Sequence, residues 1–231
     1  MSCSHHVLLF LFVLSPCLQA QDWPQWRGPT GDNHAADGAT APVTWGENNN
    51  LDWMVPVPGR GHSSPTVIGD RIYLTTADTQ QQTQSLLIYN RLTGEKLAEE
   101  VAHREGLTVK LHPHNTFASP TVASDGQRVF ALFHNQDAAW VTAFDLDGEQ
   151  LWQQRAIGFL PKKFVFGFGS SPVVVKGKVI VASEYDGAES GIVALDAATG
   201  KQSWKAERPK SLSYSTPALA LRGGQRYLIR V

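Results

Sequence analysis

Residues Ala194-Leu195-Asp196-Ala197-Ala198-Thr199-Gly200-Lys201-Gln202-Ser203-Trp204 read as the end of one strand, a tight turn and the start of the next strand. Apolar residues lead to an aspartate, a Thr-Gly pair supplies the reversal, and a tryptophan follows the glycine by four residues. The pattern occurs twice more. Ala143-Phe144-Asp145-Leu146-Asp147-Gly148-Glu149-Gln150-Leu151-Trp152 is one residue shorter before its glycine. In Asn90-Arg91-Leu92-Thr93-Gly94-Glu95-Lys96-Leu97-Ala98, asparagine stands for aspartate and Ala98 for tryptophan. The three glycines, Gly94, Gly148 and Gly200, lie 54 and 52 residues apart.

A second motif opens each unit. It reads His62-Ser63-Ser64-Pro65-Thr66-Val67, Phe117-Ala118-Ser119-Pro120-Thr121-Val122, Gly169-Ser170-Ser171-Pro172-Val173-Val174 and Tyr214-Ser215-Thr216-Pro217-Ala218-Leu219. A period near 50 residues with several short strands per unit predicts an all-β chain, a β-propeller of four-stranded antiparallel blades. Alternation and turn residues place the strands. The first unit parses as 64–68, 71–76, 85–90 and 95–101. The second parses as 119–123, 127–133, 140–145 and 149–155, and the third as 171–175, 178–183, 191–196 and 201–207. Asp125-Gly126, Lys176-Gly177, Asp147-Gly148 and Gly223-Gly224 mark hairpins that need positive φ.

The composition excludes some functions. With 18% charged residues and a net charge of −1, the chain carries no field for nucleic acid or an anionic membrane surface. Residues 1–20 hold an apolar run, Val7 to Leu14, followed by Ser15-Pro16-Cys17-Leu18-Gln19-Ala20. This predicts a secretory signal cleaved after Ala20. Both cysteines, Cys3 and Cys17, fall inside it, so the expected mature chain has no thiol. Lipid anchoring through Cys17 is the lesser alternative. Residues 21–50 read as an irregular arm whose Trp23, Trp26 and Trp45 are expected to pin it to the domain, and 51–231 as the propeller.

The Asp-x-x-Thr-Gly-Lys-x-x-Trp stretch and its copies resemble the tryptophan-docking repeat of the pyrroloquinoline-quinone-like propellers. The likeness covers about residues 51–231. The lead-in Trp23-Pro24-Gln25-Trp26-Arg27-Gly28-Pro29 is similar to the start of secreted planctomycete-type repeat proteins. The resemblance implies that Trp152 and Trp204 wedge against neighbouring blades, with Gly94, Gly148 and Gly200 at the turns. It also implies that Trp53 belongs to an outer strand at 51–57 that lacks inner partners. Such propellers usually have seven or eight blades. Three blades, half a fourth and an orphan strand therefore read as an incomplete ring of about three and a half blades, the N-terminal half of something longer. Open edges of this kind are expected to self-associate. Trp204→Ala is expected to destabilise far more than Trp23→Ala.

The family contains quinone dehydrogenases and assembly scaffolds. A dehydrogenase needs Ca²⁺ held by carboxylate and amide oxygens, an aspartate base and a planar quinone over the channel. No such set is recognisable here, so no catalytic, cofactor-binding or metal residue is assigned. Pyrroloquinoline quinone (PQQ) and Ca²⁺ belong only to the alternative, the N-terminal part of a PQQ-dependent alcohol or sugar dehydrogenase. His103, His112 and His114 read as a solvated loop rather than a zinc set. Phe164, Phe166 and Phe168 read as a blade-interface strand or a partner patch. The candidate binding residues ring one mouth of the channel: His62, Phe117, Phe168 and Tyr214. The expected function is a secreted or periplasmic scaffold, non-catalytic, that binds a protein or small ligand at that face.

Overall fold

The computed structural model describes residues 21–107 and 110–229. The signal segment, both cysteines and Arg230-Val231 lie outside the described residues. The strands form three four-stranded antiparallel meanders and one two-stranded hairpin. Blade 1 is β1 (Thr66–Ile68), β2 (Arg71–Asp78), β3 (Thr83–Asn90) and β4 (Lys96–Arg104). Blade 2 is β5 (Ala123–Ser124), β6 (Arg128–Asn135), β7 (Ala138–Asp145) and β8 (Gln150–Gly158). Blade 3 is β9 (Val173–Val175), β10 (Lys178–Ser183), β11 (Gly191–Asp196) and β12 (Gln202–Glu207). β13 (Ala218–Arg222) and β14 (Gln225–Ile229) form the partial fourth.

The blades and their order match the sequence reading, but the strand ends shift. The inner strands start later, because the Ser-Pro segments run as extended chain outside the ladders. The middle hairpins of blades 1 and 2 are tighter than expected, leaving only 79–82 and 136–137 as loops. Their reversals use Gln82 at φ 55° and Gln136 at φ 53°, residue types that announce no turn.

Each blade buries one face against each neighbour. Tyr73, Leu86 and Ile88 of blade 1 meet Val129, Phe133 and Phe144 of blade 2. The opposite face of blade 2, with Phe130, Leu132 and Val141, meets Val179, Val193 and Leu195 of blade 3. Strand alternation makes this possible, since successive side chains point to opposite faces.

The Ser-Pro motif has a physical job. The Ser64 amide donates to Thr121 Oγ1 (3.0 Å), the Thr121 amide to Ser171 Oγ (2.9 Å) and the Ser171 amide to Thr216 Oγ1 (3.0 Å). A hydroxyl from each unit thus accepts an amide from the unit before it. The turn motif works locally. Asp196 Oδ1 accepts from the Ala198 and Thr199 amides, and Asn90 Oδ1 accepts equivalently from Leu92 and Thr93. An amide oxygen serves as well as a carboxylate here, so the asparagine copy keeps the fold. Just after each turn the outer strand carries one extra residue, a β-bulge opposite Ile88/Tyr89, Ala143/Phe144 and Ala194/Leu195. A bulge twists the outer strand and re-aims the docking residue beyond it.

Candidate functional site

The arm builds the site. Trp23 pairs with Val67 of β1 in both directions (2.8 and 3.0 Å), and Asp22 Oδ1 accepts from the Gly69 amide (2.8 Å). The Pro24 carbonyl then accepts from the Ser124 amide of β5 (2.8 Å). Gln25 Oε1 accepts from the Val174 amide of β9 (3.1 Å). Four consecutive arm residues therefore cross the innermost strands of blades 1, 2 and 3 in order. They satisfy edge groups that otherwise need water. Gln25 is buried, and Trp23 packs so closely on Gly28 (φ 80°) that a Cβ there would lie 2.8 Å from the indole. The expected anchoring holds for Trp23. Trp26 and Trp45 are exposed, at 41% and 74%, and Trp26 borders the recess described below rather than a blade core.

The arm divides the axial cleft into two recesses. One, about 510 Å³, lies beside the inner hairpins at Asp125-Gly126 and Lys176-Gly177. The other, about 350 Å³, lies at the Ser-Pro end and is lined by Gln25, Trp26, Arg27, His62, Tyr214 and hydroxyls of the Ser-Pro segments. Of the four candidate residues, His62 and Tyr214 reach this recess. Phe168 instead turns into the blade 2–blade 3 core, edge-on to Phe159 at 4.9 Å, and Phe117 packs on the blade 1–blade 2 core. Sequence position alone could not separate these orientations. Gln25 and Arg27 were not legible because an irregular arm carries no periodicity to show which blade it meets, and the hydroxyls of Thr121, Ser171 and Thr216 read only as part of the repeat.

The aromatic link splits between its two readings. Phe168 packs inside, whereas Phe164 and Phe166 are exposed. Phe166 lies 5.4 Å from His112 and 6.4 Å from Tyr214, nearly parallel to the latter at 29°. Thus His112, His114, Phe166 and Tyr214 share a shallow recess beside the axial one. His103 stands apart, edge-on to Phe133 and Trp140. Burial pushes its pKa down to about 4. His134 is held down to about 4 by the same cause, with Nε2 2.9 Å from the Phe159 carbonyl.

The docking tryptophans diverge. Trp152 Nε1 donates to the Ala197 carbonyl (3.2 Å), with its ring over Gly200 at φ 71°. Trp53 Nε1 donates to the Arg91 carbonyl (3.0 Å), with its ring over Gly94 at φ 72°. Both acceptors lie three residues before the glycine. The indole of Trp53 is seated although 51–57 forms no strand ladder. Trp204 is 41% exposed and makes no such bond among the described residues. With Trp204 this exposed and Trp23 packed on Gly28, the expected ranking of the two alanine variants becomes Trp23→Ala above Trp204→Ala.

A Ca²⁺–quinone centre is not supported by these side chains. The axial recess has no carboxylate in its lining, whereas Ca²⁺ takes six to eight oxygens that normally include carboxylates. Among the described residues no three His, Cys, Asp or Glu side chains converge. No described helix is long and apolar enough to cross a membrane.

No curated protein matches this chain. Among solved structures, the quinohemoprotein alcohol dehydrogenase from Comamonas testosteroni is 18% identical with a TM-score of 0.51, over 80% of this chain and 27% of its own. BamB from Moraxella catarrhalis is 16% identical with a TM-score of 0.49, over 72% of this chain and 45% of its own. A europium-containing methanol dehydrogenase is 19% identical with a TM-score of 0.45, over 64% and 25%. The chain thus spans between a quarter and a half of the length of these proteins, and the likeness is one of fold. A sequence model of the family described as outer membrane protein assembly factor BamB matches residues 33–155 and 82–230. With the repeats, the blades and the seated tryptophans, this match makes the chain a member of the PQQ-like β-propeller repeat family.

Proposed function

We propose that the chain is a secreted or periplasmic propeller scaffold that binds a small ligand or a protein at its axial mouth and catalyses no reaction. The observation that carries this reading is the chemistry of the recess at the Ser-Pro end. Ser and Thr residues, Trp26, Tyr214 and the arm wall it, and no Asp or Glu shares the lining with His62 to form an acid–base pair there. Export is supported by the apolar run before Ala20, with the mature chain beginning at Gln21. The alternative, part of a PQQ-dependent dehydrogenase, rests on family membership, and fold does not dictate chemistry.

The test adds PQQ and Ca²⁺ to the purified chain and follows alcohol-dependent dye reduction. The proposal expects no turnover above a heat-denatured control. Saturable, alcohol-dependent reduction would overturn it. Mass spectrometry of exported protein is expected to give Gln21 as the first residue. Retention of residues 1–20 or a lipid on Cys17 would refute the export arm.

A further inference from the structure

We infer that the recess between the arm and the Ser-Pro segments is a binding site for a small oxyanion-bearing ligand, with the Arg27 guanidinium as its counter-charge. The inference rests on the axial mouth being the binding face and names the chemistry it takes.

Three observations converge. The first is the sign of the lining. Arg27 and His62 contribute the basic groups and no Asp or Glu lines the recess. The Arg27 guanidinium pairs with no carboxylate among the described residues. Asp32, nearby in sequence, turns instead to Thr30 and His34. The second is donor supply. Thr121 Oγ1, Ser171 Oγ and Thr216 Oγ1 each accept a backbone amide. A hydroxyl that accepts still has one hydrogen to give. Among the described residues none of the three gives it to a protein acceptor, although Thr121 and Ser171 are almost fully buried. A buried donor without an acceptor is costly, and an anionic oxygen satisfies several at once.

The third is the backbone that presents the arginine. Arg27 sits at φ 65°, a left-handed conformation that side-chain-bearing residues rarely adopt. The fold holds it there: the Arg27 carbonyl accepts from the Asn33 amide (2.9 Å) and the Gly28 amide donates to the Gln25 carbonyl (2.9 Å). Gln25 is itself bound to β9. Strain maintained by its surroundings is characteristic of functional positions. The volume, about 350 Å³, sits at the lower end of ligand pockets and fits a small molecule.

The experiment titrates the full chain with succinate, benzoate and inorganic phosphate, with glucose as the neutral control, by calorimetry. Arg27→Asn removes the charge while keeping a residue type that tolerates the left-handed backbone. At least one anion is expected to bind saturably. Arg27→Asn should weaken it at least about tenfold and Arg27→Lys should weaken it less, since lysine keeps the charge but not the fork. Thr216→Val should weaken it too. Arg60→Gln is the control, because that guanidinium donates to the Pro113 carbonyl outside the recess (3.2 Å), and it should change nothing. Phosphate and carboxylate arms distinguish the two sources of the same oxyanion chemistry. No anion binding, or equal affinity in Arg27→Asn, overturns the inference. Glucose binding lost in Tyr214→Ala but kept in Arg27→Asn would sink the anion assignment while sparing the axial mouth as binding face. Dye reduction with quinone would refute the non-catalytic reading and leave the anion site to be judged by Arg27→Asn alone.

Discussion

The junction between blades 2 and 3 and the junction between blades 1 and 2 perform one task with different atoms. At the first, Trp152 lies opposite Ala143 in the ladder, covers Gly200 and donates to the Ala197 carbonyl. At the second, the equivalent position opposite Ile88 is Ala98, which cannot reach. The glycine of that turn, Gly148 at φ 102°, is covered instead by Glu100 Cγ and Ile88 Cδ1. The Leu146 carbonyl, one residue after Asp145 as Ala197 is one after Asp196, accepts from the Tyr73 hydroxyl at 2.9 Å. Arg71 of the same strand pairs with Asp147. A blade junction therefore requires apolar cover for a left-handed glycine and a donor for one turn carbonyl. Tryptophan supplies both from one side chain, and blade 1 divides them between β2, β3 and β4.

The largest expected effect tests the single-residue solution. Trp152 packs against the blade 2–blade 3 core and lies 5.9 Å from the Phe130 ring. Trp152→Ala removes cover and donor together, and about 3 kcal/mol of unfolding free energy is expected to go with them. A denaturant midpoint equal to wild type would break the comparison at its stronger side.

Tyr73→Phe tests the divided solution and should cost about 1 kcal/mol, the worth of one hydrogen bond with the ring retained. A pH signature reports the burial of the phenol that makes this bond. Tyr73 is fully buried, and burial raises its pKa to about 12. Because the folded value lies above the unfolded value of about 10, the fold favours the protonated phenol. Its contribution is complete below about pH 10 and is lost as the pH climbs toward about 12. The variant is expected to show a flatter stability profile across that window. Identical profiles would remove Tyr73 from the junction's account.

The two junctions also mark how far sequence reaches. The Thr-Gly and Asp-Gly turns, the Ser-Pro openings and the strand alternation were legible because each uses residue types with few other uses. Gly94, Gly148 and Gly200 all sit at positive φ, as their motif requires. Tyr73 was not legible as a stand-in for tryptophan, since its role depends on a neighbour 73 residues away that periodicity does not name. The arm was illegible for a related reason: its bonds to β1, β5 and β9 run through backbone atoms and one glutamine side chain. Of the channel-mouth residues, His62 and Tyr214 line the axial recess. The sequence could not show that core space in blades 1 to 3 would draw in Phe117 and Phe168.

The smallest expected effect is the one that the repeat pattern alone would rank among the largest. Trp204 holds on β12 the ladder position that Trp152 holds on β8, opposite Ala194 as Trp152 is opposite Ala143. Its indole borders an open groove with Ile180, Leu219, Tyr227 and Leu228, and β12 is exposed along its whole length. A side chain that is 41% exposed has already forgone much of its burial, and no turn carbonyl among the described residues takes its N–H. Trp204→Ala is therefore expected to change the unfolding free energy of the dilute chain by less than about 1 kcal/mol, in the range of surface substitutions rather than core truncations. Sedimentation sharpens the result. If copies associate through this groove, the variant sediments more slowly than wild type at micromolar concentration, and its stability difference grows with protein concentration. A loss of 3 kcal/mol or more in a dilute monomer would show that the indole is seated as Trp152 is, and would erase the distinction between the two blades.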